Sequence, residues 1–224
     1  MTISEEQAPR VAIVGGSGKV AKHLISQLHA RGDEVLAIFR NADRYDELAE
    51  LGAIPVVLDI EKSSVSELAS AFAGCDAVVF SAGAGGGDPQ RTRAVDYDGA
   101  VTAINAATLA HVPRFIMVSA IGAGSPVTDD IDESMRPYYA AKHDADLAVE
   151  ASALEYTIVR PGGLTDDAAT GLVPLGDTVE RGSIPREDVA AVIVAALYDP
   201  RTIGRAWEVV SGDTSIADAI DSAV

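Results

Sequence analysis

Val11-Ala12-Ile13-Val14-Gly15-Gly16-Ser17-Gly18-Lys19-Val20-Ala21 carries the architecture of this chain. Its first four residues form a short, β-branched apolar run that predicts a buried strand. The glycines end that strand, and beyond them Val20, Leu24, Ile25 and Leu28 recur at helical spacing, so residues 19–30 read as a helix. The turn between can be read as Gly15-x-x-Gly18-x-x-Ala21 or as Gly16-x-Gly18-x-x-Ala21. In both registers small residues stand where a strand reverses sharply into a helix, and Ala21 still permits close helix–strand packing. Such a turn lets a pyrophosphate approach the backbone N–H groups at the helix start, where the helix dipole adds a favourable potential. A P-loop is excluded, because Ile13 stands where its first glycine is required and Val20 where its Ser or Thr binds magnesium, although Lys19 does follow Gly18.

Outward from this unit the same alternation continues. Strands are predicted over residues 34–39, 54–58, 77–81, 115–119, 157–160 and 207–210, with helices over 42–51, 65–72, 91–110, 137–153 and 186–198 between them. Alternating units of this kind predict an α/β fold with a doubly wound parallel sheet, a Rossmann-type arrangement, with residues 1–224 as a single domain. The stretches 83–89, 122–136 and 162–184 all follow strands and so belong at the carboxyl edge of the sheet, where open α/β folds bind ligands. The last is expected to build a small C-terminal substrate-facing lobe.

The chain sets 17 Lys and Arg against 34 Asp and Glu, a formal charge of -17. That field repels nucleic acid, and it obliges any site for an anionic dinucleotide to compensate locally with backbone N–H groups and a few placed cations. The longest apolar run, residues 189–197, is too short to span a bilayer, and residues 1–10 lack the apolar region of a signal peptide. A cytoplasmic protein without a membrane partner is therefore expected. The lone cysteine, Cys75, suits a reducing compartment and is expected to pack at a strand start. His23, His29, His111 and His143 show no metal-ligand spacing and read as helix-surface residues, the acidic stretch 129–133 reads as solvated loop, and no metal site is expected.

Cofactor choice is read at the end of the second strand, in Ile38-Phe39-Arg40-Asn41. An arginine there, with Lys19 or Arg44, suits the 2′-phosphate of NADP(H), which is the expected cofactor, with NAD(H) possible.

With these features in place, the chain resembles the short-chain dehydrogenase/reductase superfamily, in its atypical NAD(P)H-binding branch named after epimerases and dehydratases. The resemblance runs through Gly15-Gly16-Ser17-Gly18-Lys19-Val20, Val57-Leu58-Asp59-Ile60, Phe80-Ser81-Ala82-Gly83, Phe115-Ile116-Met117-Val118-Ser119-Ala120, Tyr138-Tyr139-Ala140-Ala141-Lys142 and Thr157-Ile158-Val159-Arg160-Pro161-Gly162. It implies that Asp59 and Ile60 contact the adenine, that Ser81, Ala82 and Gly83 line the cofactor ribose, and that Pro161, Gly162 and Gly163 pack near the nicotinamide carboxamide. Tyr138 and Lys142, four apart on a helix, share one face. By resemblance the tyrosine donates a proton to a substrate carbonyl, and the lysine stabilises its phenolate and holds the ribose. Tyr139 competes for the role, but stands only three residues from Lys142. Two departures stand out. The usual second hydroxyl after the fifth strand is Ala120, leaving Ser119 as a shifted carbonyl-polarising donor. Asp96 stands where many relatives carry asparagine.

These readings imply an NADPH-dependent reductase of a small carbonyl, quinone or flavin-like substrate. The alternative is a catalytically weak or inactive NADP(H)-binding redox sensor, which Ala120 favours. Epimerase or dehydratase activity is a lesser alternative, since the short C-terminal part leaves less room for a sugar nucleotide. Either a monomer or a homodimer is expected: the resemblance implies that a long helix such as 91–110 pairs subunits, while its apolar face equally serves the chain's own core.

Overall fold

A computed structural model describes residues 8–86, 88–129 and 131–224. Residues 1–7, Gly87 of the glycine-rich loop and Asp130 of the acidic stretch lie outside the described residues, and with them part of the readings made of those segments.

The first unit forms as its sequence requires: β1 (Arg10–Val14), then α1 (Lys19–Ala30), whose buried stripe is Val20, Ala21, Leu24, Ile25 and Leu28. There follow β2 (Glu34–Phe39), α2 (Tyr45–Glu50), β3 (Ile54–Val57), α3 (Val65–Phe72) and β4 (Ala77–Phe80). A capping box starts α3, in which Ser64 and Glu67 each satisfy the other's backbone N–H. The second half comprises α4 (Pro89–Thr92), α5 (Gly99–Leu109), β5 (Arg114–Val118), α6 (Arg136–Glu150), β6 (Glu155–Pro161), β7 (Gly163–Thr165), β8 (Leu175–Gly176), β9 (Ser183–Pro185), α7 (Arg186–Tyr198), β10 (Arg205–Val209) and α8 (Ile216–Ala223).

The main sheet runs β3-β2-β1-β4-β5-β6-β10-β8, parallel throughout except where β8 joins β10 antiparallel. The expected doubly wound α/β fold is thus observed. Its strand order reverses between β1 and β4, which opens a crevice above their carboxyl ends. Alternation along β1 sends Val11 and Ile13 to the core under α1 and α7, and Ala12 and Val14 to the core under α3, α5 and α6. Cys75 is buried directly before β4, where its thiol is pushed up to about 11 by burial.

Three features depart from the sequence reading. The helix over 91–110 is interrupted by a π-helical stretch, Arg93–Asp98, between α4 and α5. At its end Gly99 lets the helix approach Ile60, since a Cβ there would lie 2.8 Å from Ile60 Cγ1. The segment after Pro161 is not one loop: β7 and β9 pair as a separate two-stranded sheet, and α8 closes the chain. His111 is not on a helix surface but follows the end of α5 with a left-handed φ of 58°. Among the described residues, no helix is long and apolar enough to cross a membrane.

Candidate functional site

At the crevice, Gly15 has φ +85°, and a Cβ on it would lie 2.6 Å from Ala82 Cα, so only glycine lets the turn after β1 cross the turn after β4. The N–H groups of Gly15 and Gly16 are both donated to Ile38 O, at 3.0 and 2.9 Å, which pins the turn to β2. Gly18 is the N-cap of α1 and no side chain caps that helix. Its first-turn N–H groups therefore face the crevice without an internal acceptor, as a dinucleotide diphosphate requires.

Two cavities meet at this turn. The smaller, about 230 Å³, is lined by Gly15, Ser17, Arg40, Ile60, Glu61 and Arg91 among others; the larger, about 510 Å³, by Lys19, Val20, Ser119, Tyr138, Lys142 and Pro161 among others. Gly18, Ser81, Ala82 and Gly83 line both, so the two form one elongated cleft.

Most of the residues singled out in the sequence therefore converge, with Asp59, Gly162, Gly163 and Arg44 placed elsewhere. Asp59 turns its carboxylate to the Glu61 N–H at 3.1 Å and to Lys62 at 3.3 Å. Gly162 and Gly163 give their N–H groups to Val209 O and Gly182 O, both at 2.9 Å, carrying the chain from the main sheet into the small one. Arg44 pairs with Glu47 at 3.1 Å. The cation that joins Arg40 is Arg91: both meet Glu61 Oε1, at 3.0 and 3.2 Å. Nothing in the sequence marked Arg91, because the β4–α4 loop alone brings it over the end of β2.

In the larger cavity Lys142 is buried, its ammonium 3.0 Å from Asp96 Oδ1 and donating to Val118 O at 3.2 Å. Asp96 Oδ2 accepts the Ala84 N–H at 2.9 Å, so the π-helical stretch aims this carboxylate inward. Burial pushes the Lys142 pKa down, but Asp96, then Tyr138, outweigh it and hold it above the ordinary value. Tyr138 is half-buried, with its ring centroid 6.0 Å from Lys142 Nζ. Burial raises its pKa, and Lys142 opposes this only in part because Asp96 pushes the same way as burial. The phenol therefore stays protonated at neutral pH.

Behind them, one turn after Lys142, Asp146 is buried against Arg160 at 2.8 Å. Burial raises the Asp146 carboxyl, while Arg160 and the nearby Ser119 hydroxyl draw it down. Ser119 Oγ is itself buried at the cavity wall without a well-formed hydrogen bond. The Tyr138, Lys142 and Asp146 spacing could have exposed Asp146 to sequence reasoning, since all three share one helix face.

The NAD(P)H-binding family model matches residues 15–200. The chain belongs to the NAD(P)H-binding family. This member of the NAD(P)H-binding family is 41% identical over 213 residues to the uncharacterized sugar epimerase YhfK of Bacillus subtilis, an alignment covering 94% of this chain and 98% of that protein. A putative NAD-dependent epimerase/dehydratase from Bacillus halodurans superposes with a TM-score of 0.89 at 40% identity, over 96% of this chain and all of the other. ChuY, an anaerobillin reductase from Escherichia coli O157:H7, superposes at 0.77 with 26% identity, over 92% and 98% of the two chains. The family resemblance read from the sequence is thereby established.

Proposed function

We propose that this NAD(P)H-binding protein is an NADPH-dependent reductase of a small carbonyl, quinone or flavin-like substrate held over Tyr138 and Lys142. The observation that carries the reading is the placement of Tyr138 and the buried Lys142 on one helix face, lining the cavity continuous with the crevice. A bound reduced nicotinamide supplies the hydride. Tyr138 gives its proton to the oxygen that receives the displaced electron pair, and Lys142 steadies the resulting phenolate. Ser119 stands at the wall as the remaining hydroxyl able to meet a carbonyl oxygen. The convergence of Arg40 and Arg91 on one carboxylate supports a 2′-phosphate at that end, hence NADPH over NADH. The relationship to ChuY supports reduction.

A second reading, an NADP(H)-binding redox sensor, is favoured by two observations: Asp96 neutralises the lysine that would activate Tyr138, and Ala120 supplies no hydroxyl. An epimerase, as YhfK is named, would return its cofactor unchanged.

NADPH oxidation measured against a panel of carbonyls, quinones and flavins separates these readings. The reductase consumes NADPH with at least one member, loses roughly 10²–10⁴-fold of kcat in Tyr138→Phe, and loses its preference for NADPH over NADH in Arg40→Ala. Tight binding with no consumption across the panel supports the sensor and removes the catalytic assignment.

A further inference from the structure

Lys19 and Arg186 begin two different helices, α1 and α7, and both line the larger cavity. Both end on one carboxylate: Lys19 Nζ lies 2.5 Å from Asp166 Oδ2, and Arg186 Nη1 2.6 Å from Asp166 Oδ1. Asp166, just past β7, is 60% exposed in its side chain, whereas Arg186 is 21% exposed. An exposed carboxylate gains little from ion pairing in water, so this clasp contributes little to the fold. It nevertheless brings two cations together at the cavity rim, beside the uncapped start of α1. The acids that do line the cavity are engaged in structure: Asp96 holds Lys142, and Asp88 accepts the N–H groups of Gln90 and Arg91 to cap α4. In a chain of charge -17, a local pair of cations is what an anionic ligand group needs.

Resting on the reading that the cleft takes a reduced dinucleotide, the geometry points to Lys19 and Arg186 as a receiving pair for an oxyanion of the bound small molecules, with Asp166 as its built-in competitor. A phosphoryl or carboxylate group arriving at the rim exchanges with the Asp166 carboxylate, which swings into solvent. The exchange leaves Arg186, the more buried of the two cations, paired throughout, so its desolvation is not repeated. It also unties the segment after β7 from α1, so ligand arrival and release of this segment are coupled. Lys19 first, then Arg186, holds the Asp166 carboxyl below its ordinary value, so the competitor is ionised across neutral pH.

Asp166→Asn, Arg186→Gln and the double variant separate the two sources of the oxyanion. Calorimetry with NADPH, with 2′,5′-ADP, which lacks the nicotinamide half, and with benzoate against benzamide added to the NADPH complex provides the arms. If the cofactor diphosphate is the ligand, Asp166→Asn tightens NADPH roughly two- to fivefold. Arg186→Gln weakens it about tenfold, the double variant follows Arg186→Gln, and 2′,5′-ADP, which keeps only the adenosine-side phosphate, moves less than NADPH. If a substrate carboxylate is the ligand, that order appears for benzoate but not benzamide, and NADPH is unmoved. Arg186→Lys recovers most of the loss, and unchanged melting temperatures exclude misfolding. The inference is overturned if wild type binds NADPH normally and the variants match it in every arm, or if Asp166→Asn weakens the ligand. A wild type that binds neither NADPH nor 2′,5′-ADP overturns the reading of the cleft along with this one.

Discussion

Lys142 keeps its proton in a buried position because Asp96 lies 3.0 Å away. The same carboxylate raises Tyr138, so one side chain sets both groups. The raised values mean a neutral phenol and a charged ammonium coexist through neutral pH. The kcat/KM of the proposed reduction should therefore hold level and fall only above about 10, the ordinary tyrosine value. Asp96→Asn removes a negative charge that raises both groups, so the alkaline limb should move to lower pH. The variant should also lose roughly 3–5 kcal/mol of stability, because a buried ammonium is left without its counter-ion. A pH–rate profile with urea unfolding checks both, and an unmoved limb would take Asp96 out of the chemistry. That Asp96 departs from asparagine was legible in the sequence. Its pairing with Lys142 was not, because the two are joined only when the helix carrying Asp96 packs on α6.

The helix leading from α4 to α5 shows why element boundaries outrun periodicity. Its apolar residues follow one pattern over 91–110, yet a π-helical stretch inserts at Arg93–Asp98, and nothing in the residue types there signals the extra residue in the turn. The end of α5 is clearer in retrospect. Val112 is buried and its N–H returns to Ala107 O at 2.9 Å, which forces His111 into the left-handed conformation where glycine is usual. His111→Gly should therefore stabilise the protein by about 0.5–1 kcal/mol in urea unfolding, net of the added freedom of the unfolded chain. A loss of stability would show that the His111 side chain makes an energetic contribution of its own.

A charge of -17 surrounds a cleft whose ligand is itself an anion, and the structure answers this locally. The cations of the cleft are each held by an acid: Arg40 and Arg91 by Glu61, Lys19 and Arg186 by Asp166, Lys142 by Asp96. The long-range field is thus left repulsive while the short-range contacts are poised to exchange. NADPH association followed by stopped flow should accordingly speed up as ionic strength rises, because screening acts most on distant charges. A rate that falls with salt would mean that the local cations dominate the approach as well as the contact.

From residue order alone, the glycine turn and the strand–helix alternation specify the parallel sheet, its switch-point crevice and the helix face shared by Tyr138 and Lys142. These depend on neighbours in the chain: backbone conformations that need glycine, and side-chain spacings within one helix. Which acid meets which cation is settled by folding, because Arg40 with Arg91, Lys19 with Arg186, and Asp96 with Lys142 are brought together from separate elements. Electrostatic energy varies with distance over a few ångströms, and those distances exist only once the sheet has set the helices in place.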